Sequence, residues 1–416
     1  MAKSFFLHPR LGVIFLLLYV SSACADLFDN RYLPLFGRPY TRTIDYPSNA
    51  TADVFFTTAD RAFDRNDNLI GNLELWGTYD QDKVANALVA IGLPNPLLPQ
   101  WQGSNIIWRM GGKIQTQGFS FGWNQQITDY LSAGISGYVM RASGTQEFLF
   151  LSTESVLGLT TSDFLELDEI RRQMNNSLGL DGGVSHQSGF GDFDAYVRVG
   201  KIWEYILKCR RVDLGARFGV IVPSGNLINN NNPISVPFGG NGHWGFYFMA
   251  DGEFEVKEDI YAGFWFRAGK RLTKIENRRM PVAGEPEPFG AIVGPVEISP
   301  GPFVMFMPYI GMENIREGLG ARIILTVRSY SNDVWGDARP QAQQAAVPSQ
   351  LNNVTESTGW KSDYITLNVF YDFGKVKVDR GLSPIIRLYW DIPTALLITE
   401  RIPKTTQVSL GVEVKF

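Results

Sequence analysis

Residues 406–416 alternate without a break. Val408, Leu410, Val412, Val414 and Phe416 form one set, and Gln407, Ser409, Gly411, Glu413 and Lys415 the other. Successive side chains on a strand point to opposite faces, so this segment is greasy on one side and polar on the other. A soluble sandwich can produce such a strand, and so can a barrel with lipid outside and water inside.

Closing an alternating strand on a terminal aromatic resembles the signal by which outer-membrane barrels are recognised for assembly. That points to the barrel, with Phe416 as assembly signal and with outer-membrane lipid and the barrel assembly machinery as partners. Other segments repeat the pattern. Leu319, Ala321, Ile323, Leu325 and Val327 alternate with Arg322, Ile324, Thr326 and Arg328. Phe246, Phe248, Ala250, Phe254 and Val256 alternate with Tyr247, Asp251, Glu253 and Glu255. A charge on the lipid face near the midplane costs about 2–4 kcal/mol, so these charges are expected to face the lumen.

Strands are expected at 69–79, 105–124, 130–143, 191–205, 212–222, 243–256, 260–277, 302–313, 319–330, 360–373, 383–392 and 405–416. The connections between them then alternate between short (125–129, 206–211, 257–259, 314–318, 374–382) and long (80–104, 144–190, 223–242, 278–301, 331–359). Short periplasmic turns and long external loops are the rhythm of a transmembrane antiparallel up-and-down β-barrel, here all-β with about 12 strands and at most about 14. The uncertainty in number lies in 26–68. There Ala-Asp-Val-Phe-Phe-Thr-Thr-Ala (52–59) reads either as one more strand or as part of a periplasmic N-terminal plug. The barrel itself is expected over 69–416.

Two long loops carry helical patterns. Residues 82–91 are amphipathic, and 162–178 place acidic residues early and Arg171 and Arg172 later, matching the helix dipole. Pro94, Pro96 and Pro99 follow the first. Both helices are expected to fold over the mouth.

The chain's first residues read as an export signal. Lys3 and Arg10 flank an apolar run at 11–20 that is too short to span a bilayer, and Ala23-Cys24-Ala25 is a small-residue cleavage site. The expected signal peptide is 1–25. Ser21 stands where a lipoprotein signal prefers Leu or Val, so Cys24 is read as cleaved rather than acylated. Only Cys209 then remains, and a closed hydrogen-bonded barrel takes the place of a disulfide. A net charge of −4 with scattered Lys and Arg excludes a nucleic-acid partner. The His set supports no metal site, and no cofactor motif appears in the right context.

The stretch 189–271 resembles a family of outer-membrane transporter-like barrels associated with phenol and meta-cleavage degradation pathways. The resemblance rests on four features: Gly189-Phe190-Gly191-Asp192 opening a strand, Pro223-Ser224-Gly225 ending the next, Gly242-His243-Trp244-Gly245, and a hairpin turning at Glu258-Asp259. It implies a porin-like barrel without catalytic residues, and a small, often hydrophobic cargo.

An enzyme reading comes from His186-Gln187-Ser188, the His-x-Ser spacing of outer-membrane phospholipases and lipid deacylases. On a strand the two side chains share a face, so an imidazole there can activate the hydroxyl. The phospholipase family continues with Asn-Gly after the Ser, where this chain has Gly189-Phe190. At the spacing of that family's orienting Asn stands Gly200. The acylhydrolase is therefore the third reading.

The first reading is a channel. A barrel of about 12 strands leaves a narrow lumen, suited to passive passage of small solutes. The pore-lining candidates are Arg198, Arg217, Arg267, Arg271, Arg322 and Arg328, with Asp251, Glu253 and Glu255 facing them. Rows of opposite charge select ions by field and size. The alternative is that they pair across the lumen and hold the wall, giving a structural or surface-interaction barrel with a blocked lumen.

Overall fold

A computed structural model describes residues 30–34, 37–40, 42, 47–151, 159–376 and 383–416. The expected signal peptide and Cys24 lie outside these residues, as does most of the turn at 374–382. Twelve strands form a closed antiparallel barrel. They are β1 (Asn49–Ala59), β2 (Ile107–Gln126), β3 (Leu131–Phe150), β4 (Phe193–Ile206), β5 (Cys209–Val222) and β6 (Gly245–Lys257). They continue as β7 (Ile260–Arg271), β8 (Phe303–Arg316), β9 (Leu319–Tyr330), β10 (Trp360–Asp372), β11 (Ser383–Thr394) and β12 (Thr406–Lys415). Closure lies at β1, where Val54 sits opposite Leu410 of β12 and opposite Phe119 of β2. No barrel edge is left to unravel.

The first barrel strand differs from expectation. It is β1, and the barrel therefore begins at Asn49 rather than Leu69. Phe55 is the reason this strand hides in the sequence. It turns inward and is 1% exposed, so Val54-Phe55-Phe56 is apolar on both faces and its alternation is lost. The expected strand at 69–79 is instead a three-residue strand, Leu69–Gly71, followed by a 3-10 turn at Asn72–Trp76. The Asn72 amide donates to the carbonyls of Ala59 and Gly112 at 3.0 and 3.3 Å, which ties this turn to the rim.

The expected strand at 260–277 also divides. β7 ends at Arg271, and Lys274–Met280 leaves the wall for a small sheet with Ile292–Ser299 and Val334–Asp337. β2 and β3 run past their expected ends. At 20 residues each they span roughly 68 Å by strand rise, far more than a bilayer needs.

Short turns and long loops alternate as the sequence implies. Both the start of β1 and the end of β12 lie at the short-turn end, where Ser48 and Phe416 exchange backbone hydrogen bonds of 3.1 and 3.2 Å. At the other end the long loops build a second core. Helix α1 (Gln81–Ala90) is capped by Asp80, whose carboxylate accepts from Asp82 N at 3.1 Å. Helix α2 (Thr161–Ser177) starts in a capping box between Thr160 and Asp163. Val84 and Leu88 of α1 and Leu167, Ile170 and Met174 of α2 pack with Phe55, Tyr138 and Phe289 over the mouth. Each buried aliphatic or aromatic side chain contributes about 1.5–3 kcal/mol, so the loop end is a packed cap rather than a fringe.

The outer wall is apolar. Phe218 is 61%, Ile310 63% and Leu410 58% exposed, and Leu410 shares its row with the exposed Val54, Phe119 and Leu388. A soluble surface does not carry such a continuous belt.

Candidate pore lumen and mouth

Every charged residue named as a pore-lining candidate points inward. Glu255 is half-buried and the others are buried. Arg198 of β4 donates to Asp251 at 2.9 Å and to Asp213 at 2.9 Å, and Arg217 of β5 donates to Asp251 at 3.0 Å. A Cβ at Gly215 would collide with the Arg198 guanidinium, so glycine at that position makes room for the network. Nearer the short turns, Arg211 donates to Glu253 at 2.6 Å and lies 3.6 Å from Glu255. Arg322 lies 4.0 Å from both Glu253 and Glu313. Nearer the mouth, Arg267 pairs with Asp194 at 2.7 Å and Arg271 with Asp192 at 2.8 Å. Arg328 donates to Ser362 at 2.8 Å and lies over the Trp360 ring.

These pairs replace the expected arginine wall facing Asp251, Glu253 and Glu255. Arg267 and Arg271 meet Asp194 and Asp192 instead, each reaching past β6 and β5 to a carboxylate on β4 or just before it, nearer the loop end than its own row. The charges brace the wall.

The N-terminal segment completes the filling. The Tyr32 carbonyl accepts from Thr405 at the loop end, at 3.2 Å. Arg38 pairs with Asp391 at 2.9 Å, and its guanidinium lies 4.2 Å from the Tyr389 ring centre. Arg322 donates to the Pro39 carbonyl at 2.6 Å. Arg42 lies 3.6 Å from Asp213 and donates to Gln126 at 2.8 Å. The described residues of the segment thus lie from the loop end, at Tyr32, to the turn end, at Arg42, and β1 follows in the chain. Residues 26–68 were expected to be a periplasmic segment, an extra strand or a plug; among the described residues Asn49–Ala59 is a barrel strand, and Arg38, Pro39 and Arg42 touch lumenal side chains. Arg38, Tyr40 and Arg42 escaped the sequence reading. Their i, i+2 spacing puts them on one side of an extended chain, and that spacing was the available signal.

Beyond these contacts a cavity of about 140 Å³ opens at the mouth, bounded by Arg31, Trp76, His243, Arg278, Trp335 and Trp360 with the carboxylates of Glu276 and Asp333. Phe303, Tyr330 and Trp360 stack in a ladder with centroid separations of 5.9 and 5.6 Å. The guanidinium of Arg278 lies 5.0 Å from the Trp335 ring centre. His243 Nδ1 is 2.8 Å from the Leu272 carbonyl. With those carboxylates in the lining, and Arg278 paired with Glu276 and Glu287 at 3.6 and 2.8 Å, it is the rings that suit a ligand, a small aromatic molecule.

His186 and Ser188 lie on Val184–Phe190, which continues the neighbour of β3, and both point to the outside of the wall. Among the described residues neither side chain has a hydrogen-bond partner, so no group orients the imidazole. Asp64 heads a self-contained turn, its carboxylate accepting from Asn66 N and Asn68 N at 2.6 and 2.9 Å. Among the described residues, no group of three or more His, Cys, Asp or Glu is placed to hold a metal ion.

No protein-family model matches the chain, and no curated protein sequence matches it. Solved structures similar to it include an outer membrane channel from Pseudomonas putida F1, at 11% identity over 91% of this chain and 100% of that one, with a TM-score of 0.47. The transport unit of the autotransporter AIDA-I from Escherichia coli aligns at 7% identity over 92% and 93%, with a TM-score of 0.42. A Pseudomonas aeruginosa FadL homologue aligns at 9% identity over 89% and 90%, with a TM-score of 0.31. With all three TM-scores under 0.5, the architecture rests on this chain's own strand register. The closed register, apolar belt and polar lumen define a membrane-spanning antiparallel β-barrel.

Proposed function

We propose that this chain is an outer-membrane channel for passive passage of small solutes, and that its N-terminal segment is a displaceable stopper. The observation that carries the reading is how the segment is held. Tyr32 and Leu33, among its first described residues, are buried in the mouth core. From there inward its grip on the wall consists of ion pairs and hydrogen bonds through Arg38, Pro39 and Arg42, with no covalent tie among the described residues. Such a strap can leave the lumen without unzipping a single strand pair. The mouth cavity offers a holding place for a small aromatic solute before the strap moves. The resemblance over 189–271 to transporter-like barrels of phenol and meta-cleavage pathways agrees with that chemistry.

The paired lumen charges favour a second reading, a blocked structural or surface-interaction barrel. Flux separates the two. Proteoliposomes carrying the full chain are expected to pass small neutral aromatics faster than neutral sugars of equal size. Liposomes no leakier than empty ones to every solute, with the strap released, would leave the blocked barrel.

A further inference from the structure

The outer wall changes character sharply across β12, β1, β2, β3 and the strand Val184–Phe190. Direct cross-strand partners sort it into rows. One row is wholly apolar: Leu410, Val54, Phe119, Val139 and Phe190. Two residues toward the loop end the row reads Val408, Phe56, Gln117, Arg141 and Ser188. Two further on it reads Thr406, Thr58, Gln115, Ser143 and His186. Grease gives way to amides, hydroxyls and a guanidinium within two rows, roughly 14 Å of strand rise. A cation is expensive at a bilayer midplane and nearly free at its edge, so the edge runs through the row of Arg141.

Arg141 differs from the lumen arginines. It is exposed on the outer face between inward-turned Met140 and Ala142, and among the described residues its side chain has no ion-pair or hydrogen-bond partner. Its row borders a groove of about 500 Å³ in the outer wall, bounded by Phe56, Gln117, Arg141, Ser143, Thr406 and Val408. The groove therefore has an apolar floor at one end and amide, hydroxyl and guanidinium groups at the other. Lys113, on the same face of β2, adds a second cation on the loop side.

We infer that this groove seats the phosphorylated saccharide headgroup of an outer-leaflet glycolipid, with Arg141 on a phosphate. Three features select that occupant. Guanidinium matches phosphate oxygens in bidentate fashion. Gln115, Gln117, Ser143 and Thr406 offer the mixed donors and acceptors that sugar hydroxyls need. The apolar rows beneath accept several acyl chains. The groove lies at the long-loop end, which in an outer membrane faces the glycolipid leaflet rather than the phospholipid one. The inference rests on the outer-membrane reading above and concerns the outside of the wall, not its lumen.

Native mass spectrometry of the full-length folded protein tests it, with diphosphorylated lipid A, enzymatically dephosphorylated lipid A and phosphatidylglycerol as probes. The wild type is expected to retain diphosphorylated lipid A about tenfold better than either other lipid, the scale of one charge-assisted contact. Arg141→Gln is expected to lose most of that preference, and Arg141→Lys to keep most of it. Heat-modifiable gel mobility checks that each variant is folded. Undiminished preference in a folded Arg141→Gln variant overturns the site. Equal retention of phosphatidylglycerol overturns the glycolipid assignment, and displacement by millimolar inorganic phosphate shows a free-phosphate site instead. Solute flux is read on the same preparations, so failure of the lipid site and failure of the channel are told apart.

Discussion

Arg38 grips Asp391 with both ends of its guanidinium, Nη1 to Oδ1 and Nη2 to Oδ2, each at 2.9 Å. The two residues are 353 positions apart, one on the lumenal segment and one on β11. Asp391 has a further donor in Thr366, at 2.6 Å, so the wall half of the pair is held in place before the segment arrives.

Removing the wall charge is therefore expected to loosen the segment without unfolding the barrel. In Asp391→Asn the buried Arg38 keeps its charge and loses its partner, a change worth about 3–5 kcal/mol at buried pairs. Single-channel conductance in planar bilayers should rise above that of the wild type, with the heat-modifiable mobility retained. An unchanged conductance would make the segment a permanent part of the wall.

Arg198 is a brace of a different kind, because both its partners are on wall strands, Asp213 on the adjacent β5 and Asp251 on β6. Arg198→Gln leaves Asp213 with Arg42 at 3.6 Å and Asp251 with Arg217 at 3.0 Å. The temperature at which the folded gel band disappears should fall, by the equivalent of about 3 kcal/mol or more. Adding Asp251→Asn should cost less than the sum of the two single changes, since the residues share one network.

The alternation was readable wherever lipid lies on one side and paired charge on the other, as along 319–328. It failed at Phe55, which packs inward against the mouth core, so that a local pattern was overridden by a contact made far along the chain. It failed again at 69–79, where Gly71 and Asn72 bend the chain onto the rim of β2. The candidate charges were legible as lumenal because one strand's parity decides their side. Their partners were not, because Asp192 and Asp194 meet Arg271 and Arg267 only through the register of other strands. The wall partners of Arg38 and Arg42 were hidden for the same reason, although the i, i+2 spacing of Arg38, Tyr40 and Arg42 stands in the sequence.

The last residue carries its own prediction. Ser48 and Phe416 close the barrel seam through paired backbone bonds, and the ring of Phe416 is exposed on the lipid side of the wall. Phe416→Lys preserves those backbone bonds and removes the aromatic. Outer-membrane assembly should be lost while export continues, as read by surface protease accessibility. Normal surface display would show that the terminal ring is not an assembly signal.

The loop sheet should respond to acid through Asp337. Arg339 donates to its carboxylate at 3.0 and 2.6 Å and Ser349 at 2.8 Å, which lowers its pKa from 3.8 to about 2. Because the folded value lies below the unfolded one, this contribution is complete above about pH 3.8 and fades as the pH falls toward about 2. Arg339→Gln should move the fade upward toward 3.8. Amide hydrogen exchange of residues 334–350 against pH measures it, and a profile identical to the wild type would remove Arg339 as the cause.

Two lumen arginines separate bracing from stoppering. Arg322 donates to the Pro39 carbonyl at 2.6 Å, so it touches the segment as well as the wall. Arg267 pairs with Asp194, and its guanidinium stacks 3.5 Å from the Tyr247 ring centre, both contacts within the wall. Arg322→Gln removes a charge from the lumen and weakens a strap contact together. Conductance should rise and ion preference should move toward cations, since Glu253 and Glu313 stay behind only 4.0 Å away. A narrow lumen screens such charges poorly, the Debye length being about 8 Å at physiological salt. Arg267→Gln leaves Asp194 with the Tyr247 hydroxyl, which donates at 2.6 Å, and leaves the strap untouched. Its effect should appear as a lower unfolding temperature with conductance near that of the wild type. If both variants change conductance equally, the wall charges rather than the strap set the resistance of the pore. If neither does, the path taken by ions avoids this part of the lumen.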